Sequence, residues 1–178
     1  MNKHIFLLTF GIFLVSQNLY AGPYIIGCET ATVTATTPTE DFVIHDDDTV
    51  THVKTGLMWK RCVEGQTINN NVCEGVTTNA FDWQEALTTA KNSTFAEYSD
   101  WRAPNVKELM SIIERQCGSP AINSTVFPNT PNDEPHFTST YQDSETIRVI
   151  YFQNGYVGTT SIHSTGSERV VRLVRDTQ

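Results

Sequence analysis

The most pronounced hydrophobic pattern in the chain is an almost unbroken apolar run over residues 5–15. It follows the basic residues Lys3 and His4, and the polar stretch after it ends in the small residue Ala21. These three parts are typical of a secretory signal peptide, so we expect residues 1–21 to be removed. A transmembrane anchor needs roughly 20 apolar residues, and this run is shorter. The pattern therefore predicts a protein that is secreted, periplasmic or located at the cell surface.

Two later segments have apolar residues at i, i+3, i+4 and i+7, the spacing of one helix face. They span residues 82–91 and 105–117, and their apolar positions are Trp83, Ala86, Leu87 and Ala90, and Val106, Leu109, Met110 and Ile113. Asp82 and Asn105 each stand three residues before a glutamate, which is the pattern of a capping box at a helix start. We therefore predict two amphipathic helices.

Most of the other apolar residues lie in short β-rich runs that are bounded by turn residues. A Lys-Thr-Gly turn at residues 54–56 predicts one hairpin, and Asn154-Gly155 predicts another. The predicted strands are residues 49–53, 57–59, 137–141, 147–152, 156–160 and 169–175. A hairpin, two helices and then several strands indicate an α+β fold with segregated elements, because alternating βαβ units would give a different order.

The length after signal removal suits one domain with its own core. Residues 22–41 are irregular and rich in threonine, so we expect an N-terminal tether or edge segment held by Cys28, followed by a domain over residues 42–178. The whole chain carries a formal net charge of −8. This charge argues against nucleic acid and anionic membranes as partners, because both would repel the protein. After the signal, no segment is long and apolar enough to span a membrane.

The four cysteines are Cys28, Cys62, Cys73 and Cys117. An even number of cysteines in an exported chain predicts disulfides, for which three pairings are possible. Cys62 and Cys73 bracket a short polar segment, which favours their pairing and leaves Cys28 for Cys117. The chain has no Cys-x-x-Cys and no cysteine–histidine pair at ligand spacing, so zinc is disfavoured. Lipid attachment at Cys28 is also disfavoured, because the apolar run ends well before it.

Asp46, Asp47 and Asp48 are the candidate metal ligands, because Ca²⁺ takes several oxygen ligands at once. Their spacing does not match an EF-hand loop, and no glycine provides the sharp turn. A solvated acidic hairpin loop is therefore the favoured interpretation. Apart from this calcium hypothesis, we expect no cofactor.

Asn132, Asp133, Glu134 and His136 are the candidate ligand-binding residues. They lie in a segment, residues 118–136, that is rich in proline and asparagine and is predicted to be a loop. Binding residues are often found on loops. Two other groups have structural explanations that we favour over ligand binding. We expect ion pairs for Arg169, Arg172 and Arg175, and core packing for Trp59, Trp83 and Trp101.

Six segments stand in a recognisable order, namely residues 55–59 (TGLMW), 83–87 (WQEAL), 98–109 (YSDWRAPNVKEL), 120–123 (PAIN), 126–131 (VFPNTP) and 171–175 (VRLVR). Through them the chain resembles the Lcl C-terminal domain family, which is named for the end domain of a bacterial collagen-like adhesin. The resemblance implies a C-type-lectin-like fold, with two helices packed on antiparallel hairpins and a small sheet. It also implies adhesion, since the adhesin's domain is associated with sulfated glycosaminoglycans.

The expected function is non-enzymatic binding. The chain has no G-x-S-x-G, H-E-x-x-H or phosphate-binding glycine loop. The leading hypothesis is adhesion or recognition of a glycan at the bacterial cell surface or in the periplasm. One alternative is a structural module that binds another envelope protein or a host surface protein. A weaker alternative is a degenerate relative of formylglycine-generating enzymes, which resemble the chain in layout.

Overall fold

The computed structural model describes residues 27–77, 82–163 and 169–177, so the predicted signal peptide lies outside the described residues. Within these ranges, no helix is both long and apolar enough to cross a membrane. The elements are β1 (Gly27–Cys28), β2 (Phe42–Ile44), β3 (Thr49–His52), β4 (Leu57–Lys60), β5 (Thr67–Asn69), β6 (Val72–Glu74), α1 (Trp83–Asn92), α2 (Val106–Met110), β7 (Cys117–Gly118), β8 (Pro135–Asp143), β9 (Thr146–Tyr151), β10 (Tyr156–Ser161) and β11 (Val174–Asp176).

The strands form antiparallel sheets, and the two helices contact the sheet that contains β8 and β9, which confirms the predicted α+β class. A four-stranded sheet has the order β11-β4-β3-β2, and a three-stranded sheet has the order β10-β9-β8. Two small sheets pair β1 with β7 and β5 with β6. Both predicted hairpins are present, because β3 pairs with β4 and β9 pairs with β10. The last strand returns to the first hairpin, where β11 pairs with β4.

Two hydrophobic clusters make up the core, and strands β4 and β9 contribute to both. On β4, Trp59 belongs to the first cluster and Met58 to the second. On β9, Ile150 and Val149 are divided in the same way. Because successive strand residues point to opposite faces, both strands are covered on two sides. All four residues of β4 are accordingly buried.

Helix α1 forms as predicted, and its cap is a complete capping box. The Asp82 carboxylate accepts the Glu85 backbone N–H at 2.8 Å, and the Glu85 carboxylate accepts the Asp82 N–H at 3.3 Å. Ala86 and Ala90 are fully buried in the second cluster. The helix therefore has a fixed start and a fixed buried face, and its other faces are directed outwards.

Helix α2 is much shorter than the predicted segment 105–117, since it ends at Met110. Its capping box is present, but the later apolar residues leave the helical path. Ile113 forms a β-bridge with Ile122, and the Glu114 N–H donates to the carbonyl of Ala121 at 3.1 Å. These tertiary contacts are incompatible with a continuing helix. The prediction was wrong because periodicity does not report where a buried residue finds its partner.

Both predicted disulfides are present, and they pair Cys28 with Cys117 and Cys62 with Cys73. The first connects the two strands of the β1–β7 sheet. The second connects β6 to the turn after β4. Because Cys28 is bonded to Cys117, its sulfur has no free valence for lipid attachment.

The segment expected to be a tether packs on the domain over residues 27–41, which we call the N-terminal arm. Besides the Cys28 disulfide, the buried carboxylate of Glu114 fixes the arm. It accepts the backbone N–H groups of Thr36 at 2.9 Å and Thr37 at 2.7 Å, and both threonine hydroxyls at 3.1 Å. The arm is therefore part of the folded unit.

The predicted last strand, residues 169–175, is a strand only from Val174 onwards. Before it, the guanidinium of Arg172 is fully buried and donates to the backbone carbonyls of Lys60 and Arg61 and to the Thr130 hydroxyl. It also lies 4.9 Å from the centre of the Phe127 ring. Burial lowers the pKa of Arg172 to about 9. The expected ion pair is wrong for this residue, whose partners in the described part of the chain are neutral.

Arg175 does form the ion pair expected of it. Its Nε lies 2.6 Å from a carboxylate oxygen of Asp100, and its guanidinium lies 4.0 Å from the centre of the Tyr98 ring. This pair connects β11 to the chain segment that leads into Trp101, whose side chain is buried in the second cluster.

Replacement of Arg172 by methionine should destabilise the protein, because two buried carbonyls and one hydroxyl lose their donor. We expect a loss of about 3 kcal/mol in the free energy of unfolding, measured by urea denaturation. The matched control is Arg148→Met, since no hydrogen bond or ion pair of that guanidinium occurs among the described residues. The control should stay within about 0.5 kcal/mol of the parent. If the two variants had equal free energies of unfolding, the buried hydrogen bonds of Arg172 would not contribute to stability.

Acid should destabilise the fold from about pH 6.5 downwards, because His136 is fully buried on β8. Burial, assisted by the charge of Arg172, lowers the pKa of His136 to about 3. Between these pH values the unfolded chain binds the proton that the folded chain excludes, so stability falls as pH falls. This residue alone should remove about 2 kcal/mol between pH 7 and pH 5. Burial also lowers the pKa of His52, which adds in the same direction.

The test is urea denaturation of the parent and of His136→Gln at several pH values. Glutamine can still donate to the Pro131 carbonyl, which the His136 Nε2 contacts at 2.7 Å, but it does not titrate. The variant should therefore show a shallower loss of stability between pH 7 and pH 5. The same slope in both proteins would contradict the assignment.

Candidate functional site

A groove of about 550 Å³ lies between the end of β4 and the second half of α1. We call it the α1 groove, and it is lined by residues 93–95 and by Lys60, Glu64, Thr88, Thr89 and Asn92. The helix turns its polar residues towards this groove because its alanine face is buried in the core. The groove is thus built by the same periodicity that packs the helix.

A charged pair forms one side of the groove. The Lys60 ammonium lies 3.1 Å from a carboxylate oxygen of Glu64 and 4.8 Å from the centre of the Phe95 ring. The side chains of Lys60 and Glu64 are 6% and 20% exposed, respectively. Lys60 is the last residue of the fully buried strand β4, so its aliphatic stem is covered while its amine reaches the groove.

Several groups in the groove have hydrogen-bonding capacity that the protein leaves unused. Among the described residues, the side chains of Thr89, Asn92 and Thr94 form no hydrogen bond. The Lys60 ammonium has three donors and gives one to Glu64. A ligand rich in hydroxyl groups could satisfy these donors and acceptors, and the Phe95 ring offers an apolar surface beside them.

A second, smaller pocket lies at the start of α1 and has a volume of about 320 Å³. The rings of Trp83 and Tyr141 meet there with centroids 5.4 Å apart, and Asp82, Gln84 and His163 contribute polar groups. The indole N–H of Trp83 donates to the Thr138 carbonyl at 2.8 Å. Trp83 is partly buried and packs against the second cluster, and Trp59 and Trp101 are fully buried, so the predicted core packing of the three tryptophans is confirmed.

The predicted ligand-binding residues do not form one surface. His136 lies on β8 and is fully buried, so its prediction as a ligand-facing loop residue was wrong. The predicted loop extends to His136, but strand β8 already begins at Pro135 and places His136 in the core. Asp133 is exposed, whereas Asn132 and Glu134 are half-buried. None of these four residues lines the α1 groove.

The predicted metal ligands lie in the turn between β2 and β3. Asp46 and Asp47 are exposed, and Asp48 has a positive φ of 63°. The Asp47 carboxylate accepts the backbone N–H of Thr49 at 3.1 Å and its hydroxyl at 2.6 Å, so it stabilises the turn. In residues 27–77, 82–163 and 169–177, no three acidic, histidine or cysteine side chains are grouped to hold a metal ion.

The α1 groove was not predicted from the sequence, although a signal for it exists. Apart from Glu85 and Lys91, the outward face of the predicted helix and the residues after it carry uncharged polar side chains, including Thr88, Thr89 and the run Asn92-Ser93-Thr94. A surface helix usually presents charged residues on that face. The position of Lys60 could not be inferred in this way, because the pairing of β11 with β4 is a long-range contact.

The family comparison matches residues 48–175 of the chain to the Lcl C-terminal domain. The match begins in the turn before β3 and ends within β11, so it includes both helices and every residue of the α1 groove. The N-terminal arm and β2 precede it. No curated protein sequence matches the chain. Because the matched segment makes up most of its length, this protein belongs to the Lcl C-terminal domain family.

Proposed function

We propose that this protein is an exported, non-enzymatic binding domain that recognises a glycan at the bacterial cell surface or in the periplasm. The α1 groove is the observation that supports this proposal most directly. It combines a charged pair, an aromatic ring and unused hydroxyl and carboxamide groups in one volume. Sugars present many hydroxyls together with apolar C–H faces, so this lining suits them.

Export is supported by the signal pattern of residues 1–21 and by the two disulfides, which persist in oxidising compartments. Membership of a family named for the end of a collagen-like adhesin supports an adhesin-like surface role. A C-type-lectin-like fold is part of the same proposal. Its support is the order of a hairpin, two helices and late strands, with β11 returning to β4.

The non-enzymatic assignment is supported by the cysteines. All four are joined in disulfides. Formylglycine-generating enzymes, which resemble the chain in layout, act through free thiols. Because its cysteines are bonded in pairs, this chain offers no such thiol.

A second candidate function is binding of an envelope protein or a host surface protein. Strand β2 is an edge of the four-stranded sheet and exposes Val43 and Ile44 by 49% and 42%. Val53, which follows β3, is 60% exposed. An exposed sheet edge with apolar side chains can accept an added strand from a partner. Capture of a defined envelope protein that Val43→Lys abolishes would favour this function.

Binding of the mature protein to a glycan array tests the proposal. We expect binding that Asn92→Ala weakens roughly fivefold, because one hydrogen bond to a neutral group is lost. Lys91→Ala is the matched control, since Lys91 is exposed, neighbours Asn92 on α1 and does not line the groove. The absence of binding to any glycan, with and without calcium, would refute glycan recognition.

A further inference from the structure

We infer that the α1 groove selects uncharged sugar residues, which it holds by a pair of neighbouring hydroxyls without calcium. This inference rests on the proposed function and specifies the ligand of the same site. It distinguishes neutral from anionic glycans, which the proposal of glycan recognition does not do. Neutral glycans should bind in the groove, whereas sulfated and carboxylated glycans should not.

The charges of the groove balance each other. Lys60 and Glu64 are in contact at 3.1 Å, and they are the two ionisable residues among those that line the groove. An anionic ligand would find a cation that is already neutralised, beside a carboxylate that repels it. The last turns of α1 also line the groove, and helix C-termini carry a partial negative charge. Both features disfavour sulfate and carboxylate groups.

The spacing of the charged pair suits two neighbouring hydroxyls. One hydroxyl oxygen can accept from the Lys60 ammonium while the next hydroxyl donates to the Glu64 carboxylate. The donor and acceptor atoms are 3.1 Å apart, and neighbouring hydroxyls of a sugar ring are separated by a similar distance of about 3 Å. The Phe95 ring lies against the same ammonium and can contact the apolar face of the sugar.

The unused polar side chains extend this contact beyond the pair. Thr89 and Asn92 project from α1, and Thr94 follows the end of the helix. A hydroxyl both donates and accepts, and a carboxamide offers two donors and one acceptor oxygen. These groups match sugar hydroxyls without requiring a charge on the ligand.

Calcium is not needed for this mode of binding. Among the described residues that line the groove, Glu64 is the single carboxylate, and Ca²⁺ takes about six to eight oxygen ligands. Among the described residues, the cations whose side chains form no hydrogen bond or ion pair include Lys91, Lys107, Arg115 and Arg148. They lie on α1, on α2, on the turn after α2 and on β9, and none of them lines the groove.

Calorimetry with the mature protein can test this inference, with three oligosaccharides of equal length as probes. One consists of neutral hexoses, one contains uronic acids and one is sulfated. We expect the neutral probe to bind most tightly, with the same affinity in calcium and in a chelator. A deoxy analogue that lacks one of the two neighbouring hydroxyls should bind roughly fivefold more weakly.

Glu64→Gln provides the sharpest comparison, because it keeps the shape of the side chain and leaves Lys60 without its counter-charge. The variant should bind the neutral probe roughly fivefold more weakly and the uronic acid probe more tightly than the parent does. Asn92→Ala should also reduce the affinity for the neutral probe, and Lys91→Ala is its control. Two independent variants thus test the same site.

Tightest binding of the sulfated probe, or loss of binding in the chelator, would overturn the inference and leave glycan recognition intact. Binding that is unchanged in both Glu64→Gln and Asn92→Ala would place the glycan outside the groove and overturn it as well. If no glycan binds at all, the proposed function itself fails. The three failures are therefore distinguishable.

Discussion

The fully buried guanidinium of Arg172 is the contact on which the candidate site depends. It donates to the backbone carbonyls of Lys60 and Arg61, and thereby fixes the end of β4 from the inside of the protein. The ammonium of the same Lys60 lies in the α1 groove and pairs with Glu64. One residue thus takes part in the core through its backbone and in the groove through its side chain. Because loss of these acceptors would leave a buried charge uncompensated, the contacts are costly to break.

The second wall of the groove depends on a different constraint, the burial of one face of α1. Ala86 and Ala90 can approach the core closely because they are small, and the capping box at Asp82 sets where the helix begins. The phase of the helix is then determined, and Thr89 and Asn92 must face outwards. Since β4 also contributes Met58 to the cluster that the helix covers, the helix and the strand end share one support. The core therefore fixes the positions of the helix and of the strand end that line the groove.

Local signals in the sequence were sufficient for the elements but not for their tertiary arrangement. The capping box, the hairpin turns and the bracketed cysteine loop involve residues close in the chain, and all are present in the structure. The prediction failed for α2 beyond Met110 and for His136, where contacts with distant residues decide the outcome. The α1 groove also depends on contacts between residues that are distant in the chain. Its helical wall was predictable as a polar face, whereas the position of Lys60 follows from Arg172, more than a hundred residues away.

The balanced charge of the groove is consistent with the charge of the whole protein. With a formal net charge of −8, the chain repels anionic polysaccharides at long range, so an anion-binding site would have to act against this field. An uncharged glycan is not subject to that repulsion, and its affinity comes from hydrogen bonds and ring contacts at short range. Such contacts depend little on salt, whereas binding of an anion by unpaired arginines would weaken as salt screens the charges. Binding of an uncharged ligand beside the Lys60–Glu64 pair would thus be independent of the net negative charge of the protein.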